Sequence, residues 1–389
     1  MLQPAEPIAN ALPVYASPES VVDVLQPSYP VYCVRPAQIR RIAHTFLQRF
    51  PGDVLYAVKC NSEPHMLHEL YMAGIRHFDT ASLPEIALVS ESFPDGRAYF
   101  MHPVKSRAAI LSAHQVYGVR YYVVDHPLEL EKIGELIPAD PEVVIVVRIA
   151  VQHSGAVYEL SSKFGASVHM AVDLAKDAIR RGYSYGFAFH IGSQCLDPGG
   201  YGLGLELVQK ALDDLNQAPV CVDVGGGFPA DYMNSCGPQL EVYLDAISVA
   251  VARLDLPECC RLLCEPGRGM CAEGESLIVQ VQLRKDKSLY LNDGMYGSMI
   301  EEKLGLRMPV RMVGSRDFST DLLLYTAYGP TCDSLDVYPA PLELPADLQE
   351  GDWIEFGRIG AYGTACRTRF NGFYPDTFVV VENELGELD

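Results

Sequence analysis

The feature that most restricts how this chain can fold is an alternation. From about Pro30 to Glu265, short β-rich runs take turns with amphipathic helical stretches. Val54–Val58 reads as a strand, Pro64–Ala73 as a helix with apolar residues at helical spacing, and Arg76–Phe78 as a short strand. Further strand-like runs are Tyr121–Val124, Val143–Ile149, Tyr185–His190, Val220–Val224 and Arg261–Cys264, with helical patterns such as Val168–Arg181 and Gly204–Leu215 between them. Strands separated by helices at this spacing predict a parallel sheet. About eight such units over roughly 235 residues fit a closed (β/α)8 barrel better than an open doubly wound sheet.

After Cys271 the texture changes. Ser276–Leu283, Ser288–Leu291, Leu322–Ala327, Trp353–Glu355 and Thr377–Val381 read as strands without long helices between them, and Pro339, Pro341 and Pro345 punctuate the loops. That predicts a second, mostly antiparallel β domain. With 389 residues, 49% of them hydrophobic and 21% charged, the chain is long and apolar enough for two cores. The formal net charge of −20 argues against nucleic acid and anionic membrane partners. Eleven cysteines include no C-x-x-C pair, and Cys259, Cys260 and Cys264 lack zinc-site spacing, so free thiols and no metal are expected. Met1–Gln26 has neither a basic start nor an apolar segment of the signal-peptide kind. The longest apolar stretch, Val143–Val151, is interrupted by Arg148 and too short for a bilayer. A soluble cytoplasmic protein is the expectation.

Five segments carry groups suited to chemistry. Lys59, in Tyr56-Ala-Val-Lys-Cys-Asn61, follows the first barrel strand, at the end where barrel active sites are built. Flanked by Ala57 and Val58, it is expected to lose hydration, which favours the neutral amine that attacks carbonyls; a simple ion pair fits it equally well. Gly225-Gly-Gly227 directly after a strand lets backbone N–H groups approach a phosphate, though a plain tight turn has the same look. Glu265-Pro-Gly267-Arg268 follows the last barrel strand: Arg268 offers donors to a phosphate, and Glu265 a partner for a ring nitrogen. In His190-Ile-Gly-Ser193 an imidazole and a hydroxyl stand at another strand end. In the β domain, Cys332-Asp333 pairs a thiol able to deliver a proton with a carboxylate able to bind an ammonium group.

In this order the segments resemble the fold-type III pyridoxal-phosphate (PLP) decarboxylases of basic amino acids, and the ornithine decarboxylase branch in particular. Phe78-Asp-Thr-Ala-Ser82-x-x-Glu85, Lys163-Phe-Gly165, Asn292-Asp-Gly-Met-Tyr-Gly297, Gly329-Pro-Thr-Cys-Asp-Ser-Leu-Asp336 and Gly360-Ala-Tyr362 extend the likeness from about Tyr29 to Phe373. The resemblance implies PLP held covalently on Lys59, Glu265 at the pyridine nitrogen and His190 against the ring. It implies a phosphate site from Ser193, Gly226, Gly227, Gly267, Arg268 and Tyr362, with Asp79, Glu85 and Arg148 close by. Cys332 and Asp333 would be donated by the other subunit of a homodimer, with Tyr296 beside the substrate. The implied reaction has the substrate amine displace Lys59, the carboxylate leave as carbon dioxide and Cys332 return a proton. It also implies a barrel over residues 36–274, with 1–35 and 275–389 forming one β domain.

One stretch departs from that pattern. Where the ornithine enzymes continue to Tyr-Asp-His, the Asp helping to hold the distal ammonium, this chain reads Met299-Ile-Glu-Glu302-Lys-Leu-Gly305-Leu-Arg307-Met308. An ungapped match puts Gly305 at the Asp position. Glu301 or Glu302, a turn earlier, are the expected substitutes; otherwise the distal group is not a plain ammonium, and Arg307 faces an anionic or hydrogen-bonding one. The expected substrate is therefore a diamino acid such as ornithine or lysine, in polyamine-type metabolism. A modified amino acid of a specialised siderophore or antibiotic pathway is the alternative. Diaminopimelate decarboxylases usually carry Cys-Glu at 332–333, and alanine racemases an Arg at the Glu265 position. A non-catalytic regulatory relative would usually lack the Lys or the Cys, and both are present.

Overall fold

The computed structural model describes residues 12–153, 155–158 and 162–383, so the ends of the expected β domain, 1–11 and 384–389, lie outside it. Eight strands close into a parallel barrel: β1 (Asp53–Ala57), β2 (His77–Thr80), β3 (Arg97–Phe100), β4 (Tyr121–Val124), β5 (Val144–Ile149), β6 (Ser184–Phe189), β7 (Cys221–Asp223) and β8 (Arg261–Cys264). Spatial order follows chain order, and β8 closes on β1 through Leu263 opposite Asp53. Helices such as Val168–Arg180 and Gly199–Leu212 cover the outside, which is why these strands read as near-continuous apolar runs: both faces are buried. β3 was absent from the sequence reading; its Arg-Ala-Tyr-Phe is too short to show a period.

The second sheet is nine-stranded and mixed. The long strand Glu275–Lys285 pairs antiparallel with Val31–Val34, with Ser288–Leu291 and with Trp353–Phe356. Thr377–Val381 lies parallel to Val31–Val34 on the other side. A strand from before the barrel thus sits inside a sheet built mainly from residues after it. Leu322–Tyr328, the two-residue strand Val14–Tyr15, and Val310–Val313 and Leu342–Pro345, the last two not foreseen from sequence, complete the sheet.

The two units meet behind β1. Within the sheet domain, next to the junction, the buried Arg35 and Glu355 form an ion pair of 2.8 Å. The buried Asn61 side chain donates to Glu275 Oε2 (3.1 Å) and to the Gly360 carbonyl (2.9 Å), and Tyr362 N–H donates to the Cys60 carbonyl (2.9 Å). The sheet domain therefore grips the short turn Val58–Cys60 that carries Lys59. Among the described residues no helix is long and apolar enough to cross a membrane, and no cluster of potential metal ligands occurs.

Candidate active site

Strand β1 stops at Ala57, and Lys59 projects from the following turn. Its Nζ donates to Asp79 Oδ2 at 2.5 Å; Asp79, on β2, is buried, whereas the lysine side chain is 43% exposed. Burial acts to lower the lysine pKa, but Asp79 and then Glu265 outweigh it and hold the ammonium above its ordinary range. The expectation of a neutral amine is therefore corrected: the adjoining carboxylates keep the group charged in the free chain.

Acidic groups crowd the barrel mouth. Burial pushes the Glu265 carboxyl well up, and the neighbouring Asp223 and Asp79 add to the effect. Burial likewise pushes Asp223 up to about 7. Asp223 Oδ1 accepts the Gly225 N–H (2.8 Å), while Oδ2 is buried without a hydrogen-bond partner among the described residues. His190 Nδ1 accepts the Gly192 N–H (3.0 Å). Burial, with Arg148 and Lys59 nearby, holds the imidazole well below its usual pKa, so the ring is neutral. Arg148, on β5, lies with its guanidinium 5.7 Å from the Phe164 ring centre. Burial lowers its pKa against the pull of Glu265. Glu85 accepts the Ala81 N–H at 2.7 Å, beside Asp79.

Next to these groups lies a cradle for an anion. Gly225 (φ +70°) and Gly227 (φ +107°) adopt backbone conformations that favour glycine. A Cβ on Gly226 would stand 2.7 Å from the Glu265 carbonyl and 3.1 Å from His190 Nε2. Among the described residues, the N–H groups of Gly226 and Gly227 have no partner. Arg268, buried, donates to the Tyr232 hydroxyl (3.0 Å) and to Ser193 Oγ (3.4 Å). Tyr158, Tyr232 and Tyr362 set their rings 5.1–5.7 Å from its guanidinium carbon. Gly267 passes close to Cys60, where a Cβ would meet the Cys60 Cβ at 3.1 Å.

The remaining expected residues fall into two groups. Glu301 and Glu302 lie on the one-turn helix Ile300–Lys303 and are both turned inward. Glu301 pairs with Arg268, and Glu302 accepts the Met308 N–H at 2.6 Å. Arg307 donates to the Pro341 carbonyl (3.0 Å). Cys332, Asp333 and Tyr296 gather elsewhere, on the surface of the sheet domain. Tyr296 OH donates to Asp333 (2.6 Å), the Cys332 N–H donates to Asn371 (3.0 Å), and the Cys332 thiol is free and exposed. Among the described residues no hydrogen bond or ion pair joins Cys332 or Asp333 to Lys59, Glu265 or Arg268. Asp223, Tyr158 and Tyr232 were missed by the sequence reading. Asp223 had a usable signal, an acid at the end of an apolar barrel strand; Tyr158, in the three-residue strand Ala156–Tyr158, and Tyr232, in an irregular segment, had none.

The residues fit pyridoxal phosphate. Unpaired glycine N–H groups with Arg268 and Ser193 suit the phosphate, a neutral His190 suits an aromatic face, and a buried Glu265 suits a ring nitrogen. Residues 36–272 match the model of the pyridoxal binding domain of pyridoxal-dependent decarboxylases. The chain is 31% identical over 343 residues to the lysine/ornithine decarboxylase of Selenomonas ruminantium, covering 86% of this chain and 84% of that one. It superposes on the lysine/ornithine decarboxylase of Vibrio vulnificus complexed with putrescine with a TM-score of 0.82 at 28% identity, covering 95% and 99% of the two chains. The arginine decarboxylase of Paramecium bursaria Chlorella virus bound to agmatine gives 0.81 at 25% identity, covering 93% and 98%.

Proposed function

The chain belongs to the pyridoxal-dependent amino acid decarboxylases, and from that premise we propose that it removes the α-carboxylate of a basic diamino L-amino acid such as ornithine or lysine. The observation that carries the reading is the Lys59–Asp79 pair in a barrel mouth whose other walls are Glu265, His190 and the Arg268–Gly226–Gly227 cradle. Bound pyridoxal phosphate supplies the electron sink for the pair left when carbon dioxide departs.

The chain's own groups do the rest. Lys59 Nζ is the covalent anchor, and Asp79 is the base that takes its proton and returns it for product release. Glu265, whose carboxyl is raised by burial, would give its proton to the ring nitrogen, and Lys59 and Arg148 would steady the carboxylate that remains. His190, fixed through Nδ1 by Gly192, presents a flat neutral ring. Arg268, Ser193, Tyr362 and the N–H groups of Gly226 and Gly227 hold the phosphate, with Gly267 leaving room beside Cys60. A second copy of the chain brings Cys332 to return the proton to the product carbon. Its Asp333, steadied by Tyr296, meets the distal ammonium. The exposure of Cys332 in the single chain supports that sharing.

One observation favours a second reading, a modified amino acid from a specialised pathway. Glu301 and Glu302 are both engaged within the chain, and Gly305 (φ +104°) has open space around it where the ornithine enzymes place an Asp. Amine release from ornithine, lysine, 2,4-diaminobutyrate, arginine, diaminopimelate and N-substituted diamino acids separates the two. Rapid turnover of ornithine or lysine supports the first reading. Failure on both, with lysine-bound cofactor absorbance intact, transfers support to the second.

A further inference from the structure

Glu301 stands in the wrong place for a protein that binds a phosphate ester. Its carboxylate is about as buried as Arg268, at 4% exposed each, and forms an ion pair with that guanidinium. It is held there by a one-turn helix whose geometry is fixed: the N–H groups of Leu304 and Leu306 both donate to the Glu301 carbonyl, at 3.2 and 3.0 Å. Among the described residues, Arg268 is the guanidinium that bonds within the cradle formed by Ser193, Tyr232 and the glycine turn. A phosphate monoester brings close to two negative charges. Placed on the same arginine as an ionised carboxylate, with little water to screen them, the two anions repel strongly.

We propose that Glu301 is an internal competitor for the cofactor's phosphate. Phosphate binding at Arg268 requires the Glu301 carboxylate to take up a proton, so this side chain sets how tightly, and over what pH range, the chain holds its cofactor. The inference rests on the reading of Arg268 as the phosphate arginine. The titratable and charged groups around Glu301 are Arg268, Tyr158, Tyr232, Tyr362 and Cys366. Burial raises each of the three tyrosines and the cysteine, so none of them gains charge near neutral pH. Burial also raises the Glu301 carboxyl against the lowering effect of Arg268, which brings its protonation within reach. The sign follows directly: the bound state carries the extra proton, so affinity for the phosphate falls as pH rises.

The test compares pyridoxal phosphate with pyridoxal, which lacks the phosphate, on cofactor-free protein. Binding is followed by visible absorbance and intrinsic fluorescence at pH 6.5 and 8.5. Effects on Lys59, Asp223 or Glu265 act on both ligands and cancel in the ratio of their affinities. For the wild-type chain the preference for the phosphate ester should fall several-fold between the two pH values. Glu301→Gln, a neutral side chain of the same shape, should bind pyridoxal phosphate about ten-fold more tightly at pH 8.5, leave pyridoxal unchanged and flatten the pH dependence. A wild-type preference that does not fall with pH overturns the proposal without any variant. Weaker or unchanged binding by Glu301→Gln overturns it too, and makes the carboxylate a strut for Arg268. A chain that binds the two ligands equally well at both pH values instead refutes Arg268 as a phosphate ligand.

Discussion

Glu302 shows how a single buried acid can set a pH response. It accepts the Met308 N–H, and burial pushes its carboxyl up to about 7 although Arg307 lies near. A carboxyl raised on folding holds a proton that the unfolded chain has already lost, so stability falls as pH climbs from the ordinary glutamate range through about 7. Glu302→Gln keeps the acceptor oxygen and removes the charge. It should raise the melting temperature at pH 8 by roughly 2–4 °C and leave it unchanged at pH 4.5, as scanning calorimetry would report. At Lys59 the expected loss is of another kind: Lys59→Ala should abolish the visible absorbance of bound cofactor together with turnover, and a fully active variant would refute the assigned anchor. The groups legible from sequence, Lys59, His190, Glu265 and the glycine triplet, all stand directly at barrel strand ends, where local pattern fixes their place. The charge state of Lys59 and the partner of Glu301 were not legible. Each depends on a residue brought alongside by the closed fold, Asp79 from the next strand and Arg268 from across the domain junction.

At the scale of elements, the turn Val58–Cys60 depends on a joint supplied by the other domain. Asn61 donates both amide hydrogens, to Glu275 and to the Gly360 carbonyl, and its own oxygen accepts the Glu63 N–H at 3.0 Å. Asn61→Ala leaves these buried groups short of partners, at a cost of about 1–3 kcal/mol. Denaturant unfolding should detect that loss, and the affinity for pyridoxal should fall with it as Lys59 loses its fixed setting; an unchanged midpoint would mean that Glu275 is satisfied by His65, 2.8 Å away, alone. The barrel's order was legible because its strands are apolar runs buried on both faces. Strand β3 and the sheet strand Val310–Val313, whose residues are mostly half-buried, lack that signature and emerge only through their neighbours.

For the whole molecule, the exposed Cys332–Asp333 pair leads to a test by mixing. If each site takes Lys59 from one copy and Cys332 from the other, Lys59→Ala and Cys332→Ala chains, each nearly inactive alone, should recover about a quarter of wild-type activity after random reassortment into dimers. No recovery, with mixed dimers verified by sedimentation of differently tagged chains, would place both residues in one chain's site. The position of Val31–Val34 inside its sheet has a further effect, on biogenesis. That strand is made before the barrel, yet its neighbours Glu275–Lys285 and Thr377–Val381 are both made after it. The barrel can close while synthesis continues, but Val31–Val34 must wait with both edges unpaired until Glu275–Lys285 is made, and with one edge still open until Thr377–Val381 follows. A message cut short after the barrel but before Thr377 therefore yields a chain with a formed barrel and an apolar strand still open on one edge, the kind of product that chaperones and proteases single out.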